Sequence, residues 1–270
     1  MMTPYRKFHG LSGSPFGKAL AAKALLSYPQ LEELEAELDC LIEEGGIGVL
    51  TGEMGMGKTT AMRRYFETQG ERSLQLCYQG ANRHPVAFLE GVVESLGVAP
   101  VRLRAGLLRQ LGQRVNRAYQ EQRKKTLLVV DEAHILEDGL LEDLRLLTNY
   151  EMDTADPLVV VLVGHPALRL RLQRPVHQAL WDRVRMAYRL EGLSSKETSE
   201  YIDCHLTHAG GKPGIFTADA REAIFELAQG IPRRINALAL NCLKKSATKK
   251  TNSVNGAFVR SVSAMEGDAR

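Results

Sequence analysis

Gly52-Glu53-Met54-Gly55-Met56-Gly57-Lys58-Thr59, with Thr60 behind it, decides the fold. The stretch fits G-x-x-x-x-G-K-[ST], a loop whose glycines let consecutive backbone N–H groups turn inward around a β-phosphate. In that pattern Lys58 reaches the β- and γ-phosphates and the Thr59 hydroxyl holds magnesium. A short apolar run, Ile47–Thr51, precedes the loop, and a helical pattern runs from Lys58 to about Gln69. The helix N-terminus then points its dipole at the same anion. ATP and Mg2+ are the ligands this arrangement predicts.

The second half of such a site lies about seventy residues on, in Leu127-Leu128-Val129-Val130-Asp131-Glu132. A buried strand ending in an acid places Asp131 beside the phosphate loop, where it can hold the magnesium shell; Glu132 can polarise the attacking water. Phosphoryl transfer also needs fixed charge around its transition state. His165, just past the apolar run Leu158–Val163, can sense the γ-phosphate or orient water. Arg183 or Arg185, ahead of a fifth strand, can reach a neighbouring subunit's nucleotide as an arginine finger. Arg233, in Gly230-Ile231-Pro232-Arg233, opens a helix and can couple it to the nucleotide.

Outward from the loop, Pro29 opens a helix with Leu31, Leu34, Leu38, Leu41 and Ile42 on one face, and Gly45-Gly46 stops it. Further strands are expected at Ser73–Tyr78, Thr126–Val130, Leu158–Val163 and near Ala187–Leu190, with helices near 85–96, 105–121 and 139–150. Strands alternating with helices indicate an α/β fold, a parallel five-stranded sheet covered on both faces. After Gly192 the β-branched runs disappear and helical segments follow near 195–209, 217–229, 231–247 and 254–265. The expected division is an irregular arm over 1–28, a nucleotide-binding core over 29–192 and a helical part over 193–270.

The 270 residues are 44% apolar and 25% charged, ordinary for a globular chain. Cys40, Cys77, Cys204 and Cys242 form no CxxC pair, which argues against a disulfide framework or zinc site. The apolar runs are too short for a bilayer and the opening lacks a signal-peptide core, so a cytoplasmic protein is expected. A net charge of +3 hides segregation. Residues 101–125 carry eight bases against Glu121 alone, 131–156 nine acids against Arg145, and Arg233–Lys250 six bases with no acid. Each block reads first as a solvated helix face, while several basic blocks together favour a polyanion partner. Blocks of opposite sign also suit head-to-tail packing of identical subunits.

These motifs, taken with Phe8-His9-Gly10-Leu11-Ser12-Gly13-Ser14-Pro15-Phe16, Asp131-Glu132-Ala133-His134, Leu144-Arg145-Leu146-Leu147-Thr148-Asn149, Leu162-Val163-Gly164-His165-Pro166 and Gly230-Ile231-Pro232-Arg233-Arg234-Ile235-Asn236, resemble the ExeA-type (GspA-like) AAA+ ATPases. The resemblance covers about residues 8–240. It departs at His165, where that family usually has Gln, which makes the sensor role pH-sensitive. It implies a P-loop αβα core with a helical lid, an opening arm near the adenine, and rings or helical filaments with ATP at each interface. Secretion-system members continue into a membrane span and a cell-wall-binding region, and residues 1–270 hold neither. Short stand-alone members resemble the TniB-, TnsC-, IstB- and Mu B-like ATPases that accompany DDE transposases. The expectation is therefore an ATP-dependent, sequence-nonspecific binder of double-stranded DNA that forms a homo-oligomer, marks target DNA and activates a transposase. Arg83, Arg102 and Arg104 are the expected DNA contacts. The alternatives are a secretion-assembly ATPase and a nucleotide-gated adaptor. Glu132 and Arg183 weigh against the adaptor, which needs neither.

Overall fold

In the computed structural model the chain runs α1 (Pro4–His9), α2 (Pro29–Glu44), β1 (Gly46–Thr51), α3 (Lys58–Gln69), β2 (Leu74–Gly80), α4 (Pro85–Ser95), α5 (Arg104–Gln122) and β3 (Lys125–Asp131). It continues through α6 (Asp138–Leu147), β4 (Leu158–Gly164), α7 (Ala167–Leu172), α8 (Gln178–Trp181) and β5 (Val184–Arg189). Four helices follow, α9 (Ser195–His208), α10 (Ala218–Ala228), α11 (Pro232–Lys249) and α12 (Gly256–Gly267). The structure describes residues 3–17, 26–69, 74–148, 156–212 and 214–267. Ser73 and Asn149, which belong to the expected second strand and to one family-like motif, lie outside them. Two compact units emerge, Pro29–Met54 with Lys58–Leu190, and Met1–Tyr28 with Gly55–Gly57 and Glu191–Arg270.

The first unit is built on a five-stranded sheet in the order β2-β3-β4-β1-β5. Every pairing is parallel, and this requires the helical crossovers that the alternating pattern announces. β4 is buried at all seven positions, as expected for a strand covered on both faces. One face packs Ile47, Val49, Leu128, Val130, Val160 and Leu162 against Phe88 and Val92 of α4 and Leu107, Leu111 and Val115 of α5. At about 1.5–3 kcal/mol for each large apolar side chain removed from water, this core is the dominant stabilising term. On the other face α2 comes so close that a Cβ on Gly48 would lie 2.6 Å from Leu41 Cδ2. Glycine there is what lets the helix seat. α3 is tied to α2 by the Tyr65 hydroxyl donating to Asp39 (2.6 Å) and by Arg64 with Glu35 (3.0 Å).

β5 begins at Val184, three residues before the expected start near Ala187. Only Met186 is buried in this edge strand, so its apolar signal is weak, and Arg185 lies inside the strand rather than ahead of it. The basic block of residues 101–125 is not one continuous solvated face. Arg102, Arg109, Arg117 and Arg123 are exposed, but Arg104 pairs with Asp143 of the acidic block (2.6 Å) and donates to the Gly139 carbonyl. Lys125 donates to the carbonyls of Ile42 and Glu43. Part of the opposed charge is thus satisfied within the unit.

The second unit packs α9 to α12 around Ile202, Leu206, Phe216, Ile224, Ile235, Leu243, Val254 and Val259. α9 starts on a capping box, in which Ser194 accepts from the Glu197 N–H and Glu197 accepts from the Ser194 N–H. The opening arm is not wholly irregular. Pro4 starts α1 and Gly10, at φ 67°, ends it. Tyr5, Leu11 and Phe16 are buried in the same cluster, so tertiary packing orders a segment whose composition reads as loop.

His205 joins arm and helices: its Nδ1 is 2.6 Å from the Pro15 carbonyl, and its ring stacks on Phe16 and meets Tyr201. Nδ1 therefore carries the proton and donates, while the buried Nε2 has no hydrogen-bond partner. Burial, outweighing the Pro15 bond, holds the imidazole below its ordinary 6.5. The folded chain keeps it neutral while the unfolded chain takes up a proton near 6.5, so its contribution is intact above that value and is lost as pH falls below it. The unfolding midpoint should drop between about pH 7 and pH 5.5. His205→Gln should flatten that slope; equal slopes in both proteins would place the titration elsewhere.

Candidate nucleotide site

β1 delivers the chain to Gly52, and α3 opens on Lys58. Between them Gly55 and Gly57 adopt φ 89° and 92°, values that favour glycine and turn the loop's N–H groups to one side. The Lys58 side chain is only 8% exposed, and its ammonium donates to the carbonyls of Gly52 (2.7 Å) and Glu53 (3.1 Å). A buried ammonium held at the mouth of such a loop is placed to exchange carbonyls for phosphate oxygens. Met56 is buried, Met54 is exposed and Thr60 lies half-buried in the first turn of α3.

Parallel pairing brings the end of β3 to the same place. Asp131, 7% exposed, accepts on Oδ2 from the Thr59 hydroxyl (2.6 Å) and on Oδ1 from the Glu132 N–H (2.8 Å). A third donor was not foreseen: the Tyr78 hydroxyl of β2 also bonds Oδ2. Partial burial first, then the Asp131 carboxylate, push this phenol well above its ordinary 10, so it stays a donor at any physiological pH. The signal was present in the strand pattern. Gly80 pairs with Asp131 and Tyr78 with Val129, so Tyr78 and Asp131 share a face of adjacent strands.

Glu132 does not continue the strand. It takes φ 56°, the left-handed region, and its 61%-exposed side chain comes within 3.5 Å of His134 Nδ1. His165, just past β4, accepts from the Ala167 N–H on Nδ1 (3.3 Å), so Nε2 carries the proton and donates to Glu53 (3.1 Å). The His134 and His165 rings stand edge to face at 6.4 Å. Lys58, Thr59, Asp131, Glu132, Glu53 and His165 are thus gathered at the carboxyl ends of parallel strands, where open α/β sheets bind ligands.

The other expected residues lie as follows. Arg183, half-buried, has Nη1 3.5 Å from the Thr148 hydroxyl. Arg233 begins α11 with an exposed side chain, and its N–H donates to the Gly55 carbonyl within the second unit (3.2 Å). Arg83 is exposed in the turn after β2, Arg102 is exposed ahead of α5, and Arg104 holds Asp143.

Among the described residues no group of three or more His, Cys, Asp or Glu stands ready for a metal. The Thr59 hydroxyl and Asp131 carboxylate are hard oxygens 2.6 Å apart, a donor pair that fits Mg2+ with phosphate and water oxygens completing its shell. No helix among the described residues is long and apolar enough to cross a membrane.

Comparison with known proteins agrees with this geometry. A family model described as an AAA domain matches residues 42–172. The chain is 35% identical over 238 residues to General secretion pathway protein A of Aeromonas hydrophila, covering 86% of this chain and 43% of the relative. It therefore spans less than half of that relative's length. Among solved structures it is similar to Cdc6p of Pyrobaculum aerophilum, with TM-score 0.71, 20% identity, and coverage of 93% of this chain and 70% of that one. It is also similar to a chain of Drosophila ORC bound to DNA, with TM-score 0.71, 19% identity, and coverage of 96% and 65%. At those identities the two structures speak for the fold alone. Strand order, phosphate loop, strand-end acids and the domain match lead to one conclusion: residues 42–172 form an AAA domain, and the chain has the AAA+ P-loop α/β fold.

Proposed function

We propose that the chain is a Mg2+-dependent ATPase that assembles on double-stranded DNA and hands a marked target to a DDE transposase. The observation that carries the enzymatic part is the Thr59–Asp131 pair with Glu132 one residue on and the Lys58 ammonium at the loop mouth. Gly52–Thr60 cradle the polyphosphate, Lys58 binds its β- and γ-oxygens, and Thr59 with Asp131 holds the cation. A Mg2+ ion held by Thr59 and Asp131 would supply positive charge against the phosphates. Glu132 orients and deprotonates water, and His165 reads the γ-phosphate. Arg183 serves the neighbouring subunit's nucleotide as an arginine finger. Hydrolysis removes the γ-phosphate contacts and loosens the assembly.

Support for DNA as partner comes from the exposed bases Arg83 and Arg102 and from the fold shared with an ORC chain bound to DNA. Backbone contacts from such bases neutralise phosphates without reading sequence. Arg104 belongs to this proposal less through direct contact than by fixing α5 on α6. A cytoplasmic location goes with this role. Assembly of a secretion machinery is the second reading, favoured by the 35% identity to General secretion pathway protein A.

Anisotropy of a labelled random-sequence duplex, with ATP, a slowly hydrolysed analogue, ADP or no nucleotide, at two salt concentrations, separates the two. Tight, cooperative, salt-sensitive binding with the triphosphates alone is expected. Absence of binding under every nucleotide would remove DNA as the partner and leave the secretion reading in front.

A further inference from the structure

We propose that Tyr78 is a positioning residue for the cation site, fixing the Asp131 carboxylate so that one oxygen is committed to protein donors and the other is left to the metal shell. The inference rests on the proposed Mg2+–ATP site. An ionised carboxylate offers about four lone-pair sites on its two oxygens. On Asp131, Oδ2 takes two donors, the hydroxyls of Thr59 and Tyr78, whereas Oδ1 takes the Glu132 N–H. Oδ2 is thereby filled, and the remaining acceptor capacity lies on Oδ1.

Thr59 spends its only hydroxyl proton on Oδ2, which leaves its oxygen lone pairs for a cation. Without Tyr78 the Oδ2 site would reopen and the carboxylate could turn about its χ2, a soft torsion. The two hard oxygens would then lose their fixed relation. Tyr78 has no path to the phosphates in this scheme and acts only through Asp131. Its setting allows the substitution: the side chain is 42% exposed on the edge strand β2, so loss of the hydroxyl leaves the core intact.

Groups behind metal ligands typically change metal affinity or activity by about 10–100-fold when removed. The test is Tyr78→Phe, read by fluorescence of a slowly hydrolysed, labelled ATP analogue, first in EDTA and then across a Mg2+ titration, beside thermal unfolding. The expected result is a Mg2+ midpoint raised about tenfold, with metal-free nucleotide affinity and unfolding midpoint close to wild type. Turnover lost at low Mg2+ should return at high Mg2+. An unchanged Mg2+ midpoint would overturn the role of Tyr78 while leaving the phosphate loop untouched. A parallel fall in metal-free affinity and unfolding midpoint would make the residue merely structural and overturn it too. Wild-type protein whose nucleotide binding ignores Mg2+ would overturn the cation site itself, and the role of Tyr78 with it.

Discussion

Lys58→Ala should bind ATP on the order of 100-fold more weakly than the parent and show no nucleotide-dependent assembly. Lys58 is 8% exposed and its ammonium already bonds two loop carbonyls, so its position is set before any ligand arrives. Charge-assisted hydrogen bonds contribute about 1.5–3 kcal/mol each, and a factor of 100 corresponds to about 2.7 kcal/mol. Turnover should fall further than binding, because a fixed positive charge is worth most where negative charge develops. The fold should survive: alanine suits the first turn of α3, and the bonds to the Gly52 and Glu53 carbonyls lie within the loop itself. Isothermal titration with a slowly hydrolysed analogue measures the first effect and light scattering the second. Assembly that still follows ATP in this variant would sink the phosphate-loop reading.

The loop was legible because its chemistry admits few residue types. Gly55 and Gly57 hold positive φ and Lys58 must supply a cation, so sequence and conformation constrain each other tightly. The inner strands were equally plain, since β3 and β4 are buried throughout or nearly so and read as unbroken apolar runs. β5 was placed late because an edge strand with one buried residue carries almost no pattern. α1 was missed for a related reason. Its six residues are ordered by Tyr5 and the neighbouring Leu11 and Phe16 meeting a cluster two hundred residues away, which no local window contains. Tyr78 escaped because its partner, Asp131, is named by strand order rather than by spacing along the chain. Arg104 looked like a free base until α6 supplied Asp143.

Glu132→Gln is expected to lower the turnover number about 100- to 10,000-fold while nucleotide affinity stays within a few-fold of the parent. The amide keeps the shape of the side chain and loses only its capacity to take a proton. The bond from the Glu132 N–H to Asp131 Oδ1 and the left-handed turn at 132 use only main-chain atoms of residue 132 and should be unaffected. If Glu132 activates water, the variant should bind ATP, fail to discharge it and accumulate assembled on duplex DNA. Single-turnover kinetics with radiolabelled ATP measures the first effect and sedimentation with a long duplex the second. Ordinary turnover would remove Glu132 from the base role and leave His134 or His165 to be tested in its place.

The strand order has a consequence for how the chain reaches this state. β1 pairs with β4, more than a hundred residues later, and with β5 after that, while β2 waits for β3 and β3 waits for β4 on its other side. A nascent chain therefore leaves the ribosome with β1 unpaired until β4, Leu158–Gly164, has been made. Such non-local closure is intrinsically slow and leaves apolar strand edges open to other chains. The same wiring that gathers Lys58, Asp131 and His165 at one end of the sheet makes synthesis, rather than catalysis, the period in which this molecule is most exposed to aggregation.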